Sequence, residues 1–275
     1  MPADFWGRIV FLVENYGGSL LNGAFATMII AIISTLIGCI IGFGVGIVQT
    51  IPIDRRENVA KWFGIGFIKI ILNAYVEVFR GTPMMVQAMF IYYGLPQVAG
   101  INMGIWEAAI FIVSINTGAY MAETVRGGIL SIDKGQTEGA KAIGMTHYQT
   151  MVYVILPQAL RNTMPQIGNN LIINIKDTCV LAVIGVVELF FASKTVAGSY
   201  YMFFETFTIT LVIYFILTFV SSRILRFIED KMDGDDSYDL ATTDTLAYTS
   251  GLYKYRDKRK NKVGDLNLDT REGGR

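Results

Sequence analysis

A chain of 275 residues is long enough for one or two soluble domains. Its 52% apolar and 17% charged residues, with a mean hydropathy of +0.44, exclude an ordinary soluble fold, in which about a quarter of the residues are charged. Formal net charge is zero, with 23 basic and 23 acidic side chains segregated along the chain, so the charge balance gives no reason to expect nucleic acid.

Charged residues are absent from Asn15 to Ile53, from Gly81 to Trp106 and from Thr206 to Ser222. Uncharged apolar runs of about 18 residues or more are transmembrane candidates, so the chain reads as an all-α polytopic membrane protein with about five spans. Residues 1–18 carry Asp4, Arg8 and Glu14 without a basic start or cleavage site. They read as an external segment, with no removable signal peptide and with the first span as the targeting signal. That span covers about residues 20–50 and places Gly38, Gly42 and Gly46 at four-residue spacing, a pattern that lets helices approach closely in lipid.

Asp54, Arg55, Arg56, Glu57 and Lys61 form a charged loop. Beyond it Lys69, Asn73, Glu77 and Arg80 recur at i, i+4, i+8 and i+11, one face of an amphipathic helix, which we expect to lie at the interface. Gly81-Thr82-Pro83 breaks that helix, Pro83 suiting the first turn of the next. A short second span over about 83–96 would be completed by the helix before the break. A compact turn over 97–104 leads to a third span, about 105–125, which bears Asn116, Thr117 and Glu123.

Residues 133–157 form a polar island that is too ordered for a plain loop. Asp133 with Gln136, and Thr146 with Gln149, are helix-start signals. Gly144 is a residue type that ends a helix in the left-handed region. On the second helix Tyr148, Met151, Val152, Ile155 and Ala159 make one apolar face. Two capped helices in place of a short connection read as a docking surface.

A fourth apolar segment, about 163–190, is interrupted by Asn169, Asn170, Asn174, Lys176, Asp177 and Thr178; a connection over 191–204 and a fifth span over 205–228 follow. Residues 19–231 thus form one membrane domain. The stretch 232–275 is a polar, flexible tail, acidic at first and basic from Lys254 to Lys262. Lys and Arg concentrate in 51–81, 126–161 and 221–232, which puts those segments and the C-terminus in the cytoplasm and the N-terminus outside.

No enzyme constellation is present: His147 is the single histidine, the cysteines Cys39 and Cys179 lie in apolar segments, and no Gly-x-x-x-x-Gly-Lys-Ser/Thr sequence occurs. The chain is therefore not expected to be an enzyme or to bind metal. Charges inside a bilayer face a partner or an aqueous cavity. Lys176 and Asp177 are adjacent, so they point in different directions and each needs its own partner or an unwound helix. Glu77 and Arg80 share a face. These four either contact a zwitterionic solute or hold helices together by ion pairs, and their spacing does not decide between the two.

Glu138-Gly139-Ala140, with Gly144 and Val154-Ile155-Leu156-Pro157 at the right distances, resembles the Glu-Ala-Ala loop of permease subunits in binding-protein-dependent ABC importers. Gly139 and Val154 depart from the family's Ala and Ile. Tyr75 to Pro83 with Gln87 and Tyr92 to Pro96, Thr117 to Ile129, Leu156 to Ala159 and Lys176-Asp177-Thr178 are similar to the polar amino-acid branch of histidine, glutamine and arginine type permeases. The resemblance covers about residues 20–230. It implies a type I importer fold whose short coupling helix, with Glu138, Gly139, Ala140, Lys141 and Gly144, sits in a cleft of a cytoplasmic ATPase dimer. It further implies a second permease subunit, an extracytoplasmic solute-binding protein and a bacterial plasma (inner) membrane setting. ATP and Mg would be bound by the ATPase, no cofactor by this chain. Uptake of polar amino acids by alternating access follows, with Glu77, Arg80, Lys176 and Asp177 as candidate solute-path residues. The rival readings are a secondary carrier and a polytopic membrane enzyme or assembly factor.

Overall fold

The computed structural model describes residue 2, residues 4–52 and residues 59–233. Asp54, Arg55, Arg56 and Glu57, and the tail from residue 234, lie outside them. Among the described residues every element is helical: α1 (Phe5–Thr50), α2 (Val59–Gly81), α3 (Met84–Ala99), α4 (Ile105–Leu130), α5 (Lys134–Ala142), α6 (His147–Thr150), a π turn (Met151–Ile155), α7 (Leu156–Asp177), a 3-10 stretch (Thr178–Ile184), α8 (Leu189–Tyr200) and α9 (Phe203–Asp233). Four stretches among the described residues are long and apolar enough to cross a membrane: Phe5–Thr50, Ile105–Leu130, His147–Ile184 and Phe203–Lys231.

The first helix starts earlier than its apolar run. Asp4 caps it by accepting from the Gly7 amide at 2.8 Å, and no proline intervenes, so residues 5–18 are part of α1 rather than a separate segment. α1 runs parallel to α4 along a seam of small residues. A Cβ added at Gly38 would lie 2.7 Å from the Thr117 Cβ, and one at Gly46 would lie 2.8 Å from the Ala122 carbonyl. The four-residue glycine spacing is thus a packing face. Without a Cβ at these positions the two backbones approach closely enough for Asn174 of α7 to bridge them, donating to Thr35 at 2.8 Å and to Thr117 at 2.9 Å.

α2 carries the two stripes read from its sequence. Its apolar residues Phe67, Ile70 and Val78 are exposed, while Asn73 accepts from Gln49 at 2.9 Å, Lys69 donates to the Ile51 carbonyl at 2.6 Å and Tyr75 donates to the Ile115 carbonyl at 2.6 Å. The polar stripe is turned toward α1 and α4 and the apolar stripe away from them. Periodicity identifies a stripe but not what covers it. α2 climbs from the end of α1 to the middle of α4, and α3 follows it, packing Ala88 and Ile91 against Ala108 and Ile112. The expected second span is therefore α3 preceded by α2 across the break at Thr82-Pro83; neither helix is among the four stretches long and apolar enough to cross alone.

α7 runs antiparallel to α4, with Thr163 beside Gly128 and Asn174 beside Thr117. The expected connection over 191–204 is mostly the helix α8, and α8 packs Leu189 and Ala192 against Leu20 and Ala24 of α1 and Ile209 and Ile213 of α9. Arg8 and Glu205 pair at 2.9 Å where α1 and α9 begin.

Candidate functional site: a two-helix loop and a polar groove

The loop after α4 is built from local signals. Asp133 caps α5, accepting from the Gly135 amide at 2.6 Å. The Gln136 backbone amide reaches the Asp133 carbonyl at 3.0 Å, so the cap is backbone-returned rather than a full box. α5 closes where the Met145 amide reaches the Ala140 carbonyl at 3.1 Å with Gly144 at φ +86°, a left-handed stop that favours glycine. At α6 the box is complete: Thr146 accepts from the Gln149 amide at 3.2 Å and the Gln149 side chain accepts from the Thr146 amide at 2.9 Å.

Ala140 is buried where α5 meets the π turn, whereas Glu138, Gly139, Lys141 and Gly144 are exposed. Three large side chains join them at the surface, Ile143 (79% exposed), Tyr148 (73%) and Tyr153 (70%), around a groove of about 410 Å³ lined by Ile143, Gly144, Met145, Gln149 and Tyr153. Tyr148 therefore stands apart from Ile155 and Ala159, the buried members of the apolar face on which its spacing places it. The π turn inserts a residue into the helical register before the helix meets the bundle. Met151 and Ile155 lie against Met121, Val125 and Ile129, and Tyr148 projects clear. Solvent-facing aliphatic and aromatic groups next to a carboxylate and an ammonium form a surface suited to a protein partner.

A second feature is a groove of about 500 Å³ between α1, α2 and α4. Lys69, Asn73, Glu77 and Arg80 line it from α2, Glu123 and Arg126 from α4 and Gln49 from α1. Arg126 pairs with Glu123, its Nε donating at 3.2 Å. Arg80 approaches the same carboxylate at 3.9 Å and stacks over the Tyr120 ring at 5.6 Å. Three cations and two carboxylates in an open groove can receive a carboxylate and an ammonium together.

The structure brings Glu77 and Arg80 into one groove and leaves Lys176 and Asp177 out of it. Those two are exposed where α7 tightens into the 3-10 stretch, and neither is in an ion pair among the described residues. Sequence reasoning left Glu123 and Arg126 out of the candidate set, although two charges three residues apart on a span were a usable signal. It also missed Glu188, which is fully buried. This carboxylate accepts from the Phe190 and Phe191 amides at 2.9 and 2.8 Å and from Tyr214 at 3.1 Å. Glu188 lay inside a segment read only as a span.

Long apolar helices, a seam of small residues, a polar groove inside the bundle and an exposed helical loop together define a membrane transport subunit. The chain belongs to the family described as the binding-protein-dependent transport system inner membrane component, whose family model matches residues 59–234. It is 38% identical over 214 residues to the glutamine transport system permease protein GlnP of Escherichia coli K12, covering 78% of this chain and 92% of the relative. It is 33% identical over 217 residues to the arginine transport system permease protein ArtQ of Bacillus subtilis 168, covering 79% and 94%. A chain of the crystal structure of an amino acid ABC transporter with histidines superposes with TM-score 0.71 at 32% identity, covering 84% of this chain and 100% of that one. The inward-facing MetNI methionine ABC transporter shares the fold, with TM-score 0.59 at 20% identity over 78% and 97% of the two chains.

Proposed function

We propose that this chain is the permease subunit of an ATP-driven importer of polar or charged L-amino acids, with glutamine and arginine as the first solutes to try because the relatives carry those names. The observation that carries the reading is the exposed, doubly capped loop of α5 and α6 on a chain with no nucleotide motif of its own. A cytoplasmic ATPase dimer, which binds ATP and Mg, docks on Glu138, Gly139, Ala140, Lys141 and Gly144. Ile143, Tyr148 and Tyr153 give that contact its apolar area. A second permease, the same chain or a paralogue, and an extracytoplasmic solute-binding protein complete the assembly. The Lys and Arg distribution supports an N-terminus outside and the loop and tail in the cytoplasm.

Solute passes along the polar groove, where Arg80 and Arg126 attract its carboxylate and Glu77 its ammonium group; Lys176 and Asp177, exposed on α7, meet it elsewhere on the path. ATPase closure moves the loop, and the spans then alternate their access.

The test is uptake of labelled glutamine and arginine into proteoliposomes that hold this chain with its ATPase, supplied with loaded binding protein. Glu138→Lys, which reverses the charge on the docking helix, is expected to abolish uptake while membrane insertion stays normal. Uptake at the wild-type rate in that variant would remove the docking role.

A further inference from the structure

Pro83 leaves a carbonyl without its helical partner. In a continuous helix the amide of residue 83 would donate to the Phe79 carbonyl, but proline has no N–H. The carbonyls at the end of α2 are orphaned in any case because the helix stops at Gly81. Within a membrane bundle such groups must find donors inside the protein. Thr82 serves the Val78 carbonyl with its own hydroxyl at 2.8 Å. For the others the chain reaches forward and across. Gln87, only 7% exposed on the first turn of α3, donates its amide to the Phe79 carbonyl at 2.9 Å and to the Thr82 carbonyl and hydroxyl at 2.9 and 2.8 Å. Asn116 of α4 donates to the same Phe79 carbonyl at 3.2 Å and to the Gln87 side-chain oxygen at 3.0 Å.

These bonds bracket Arg80, because Phe79 and Thr82 lie on either side of it. Asn116, Tyr120 and Glu123 are i, i+4 and i+7 on α4, one helix face. The first holds the backbone of the α2 end, the second lies under the Arg80 guanidinium at 5.6 Å, and the third takes its edge at 3.9 Å. We propose that Gln87 and Asn116 are positioning residues for transport. By supplying the donors that Pro83 lacks, they fix the last turn of α2 on α4 and set the place of Arg80 in the groove. This rests on the reading of that groove as the solute path.

The experiment uses the full transporter in proteoliposomes, with L-glutamine as the probe and the ratio of glutamine moved to ATP hydrolysed as the readout. Gln87→Leu keeps the volume and removes the donors. It is expected to lower the ratio about tenfold, the upper end of what one neutral hydrogen bond contributes, with basal ATP hydrolysis unchanged. Arg80→Ala is expected to lower the ratio at least as far, and the double variant to be no worse than Arg80→Ala alone. Additive losses would overturn the proposal, because Gln87 would then act by some route other than Arg80. If Gln87→Leu fails to assemble, Asn116→Ala is read by the same criteria.

A geometric arm separates this proposal from the solute-path reading. In a background with Cys39→Ser and Cys179→Ser, the pair R80C and E123C is cross-linked by a short bifunctional thiol reagent, with and without Gln87→Leu. Cross-linking should slow about fivefold or more in the Gln87→Leu background; an unchanged rate would overturn the positioning role. Slowed cross-linking with a normal ratio in Arg80→Ala would leave the positioning role standing and remove the solute-path reading.

Discussion

Glu188 shows how one side chain can join three helices. Its carboxylate caps α8 through two amides, where the partial positive charge of a helix start favours an anion. It also accepts from Tyr214 of α9, while Thr27 of α1 accepts from the Leu189 amide at 3.3 Å and lies 3.4 Å from the carboxylate. Removing such a group leaves four donors facing one another in a buried space. Glu188→Ala is expected to cost about 1–3 kcal/mol, seen as a lower unfolding midpoint of the detergent-extracted protein, whereas Glu188→Gln keeps a hydrogen-bonding side chain there and should lose less. A Glu188→Ala variant that unfolds with the wild type would show the network to be dispensable. None of this was visible along the chain, because Thr27 and Tyr214 stand 161 and 26 residues away. Asp133 and Thr146 were legible for the opposite reason: their partners lie two or three residues on.

At the scale of elements, the join between α5 and α6 is set by Gly144. An L-residue with a Cβ at φ +86° carries a penalty of about 1–2 kcal/mol. Gly144→Val should therefore open the angle between the two short helices and weaken capture of the ATPase in co-purification, leaving the membrane bundle extractable and folded. Undiminished capture would separate the docking surface from the geometry of this turn. The amphipathic stripe of α2 marks where sequence reading ran out. Lys69, Asn73, Glu77 and Arg80 were correctly grouped on one face, but a polar face looks the same whether it meets water or other helices. Gln49 and Glu123, the groups that decide it, sit on α1 and α4. The break at Thr82-Pro83 was legible from proline alone; its repair by Gln87 and Asn116 was not.

For the whole molecule, the decisive comparison is between energy sources. With ATP depleted and the ion gradient intact, uptake through an assembly containing this chain should stop; with the gradient collapsed and ATP present, it should continue. The converse pattern would identify a carrier that works alone. Composition already contained the membrane setting and about five spans, since uncharged runs need lipid. It did not contain the extension of α1 back to Phe5, because hydropathy reports where a chain is apolar and not where its backbone stays helical.

The π turn at Met151–Ile155 has a mechanical meaning. From His147 to Ile184 the backbone is helical without a loop, so a push delivered near Tyr148 reaches Asn174 through a rod about 40 Å long at 1.5 Å per residue. The Leu156 amide bonds back to the Met151 carbonyl, five residues away instead of four, so the turn is wider than an ordinary one. Deleting one residue from this turn would restore the ordinary screw with the two halves close to their present azimuths, because the wider turn already absorbs about one residue's worth of rotation. Deleting a residue from the regular helix beyond it would instead turn Tyr148 by about 100° against Asn174, and the rod would deliver the same thrust along a different azimuth.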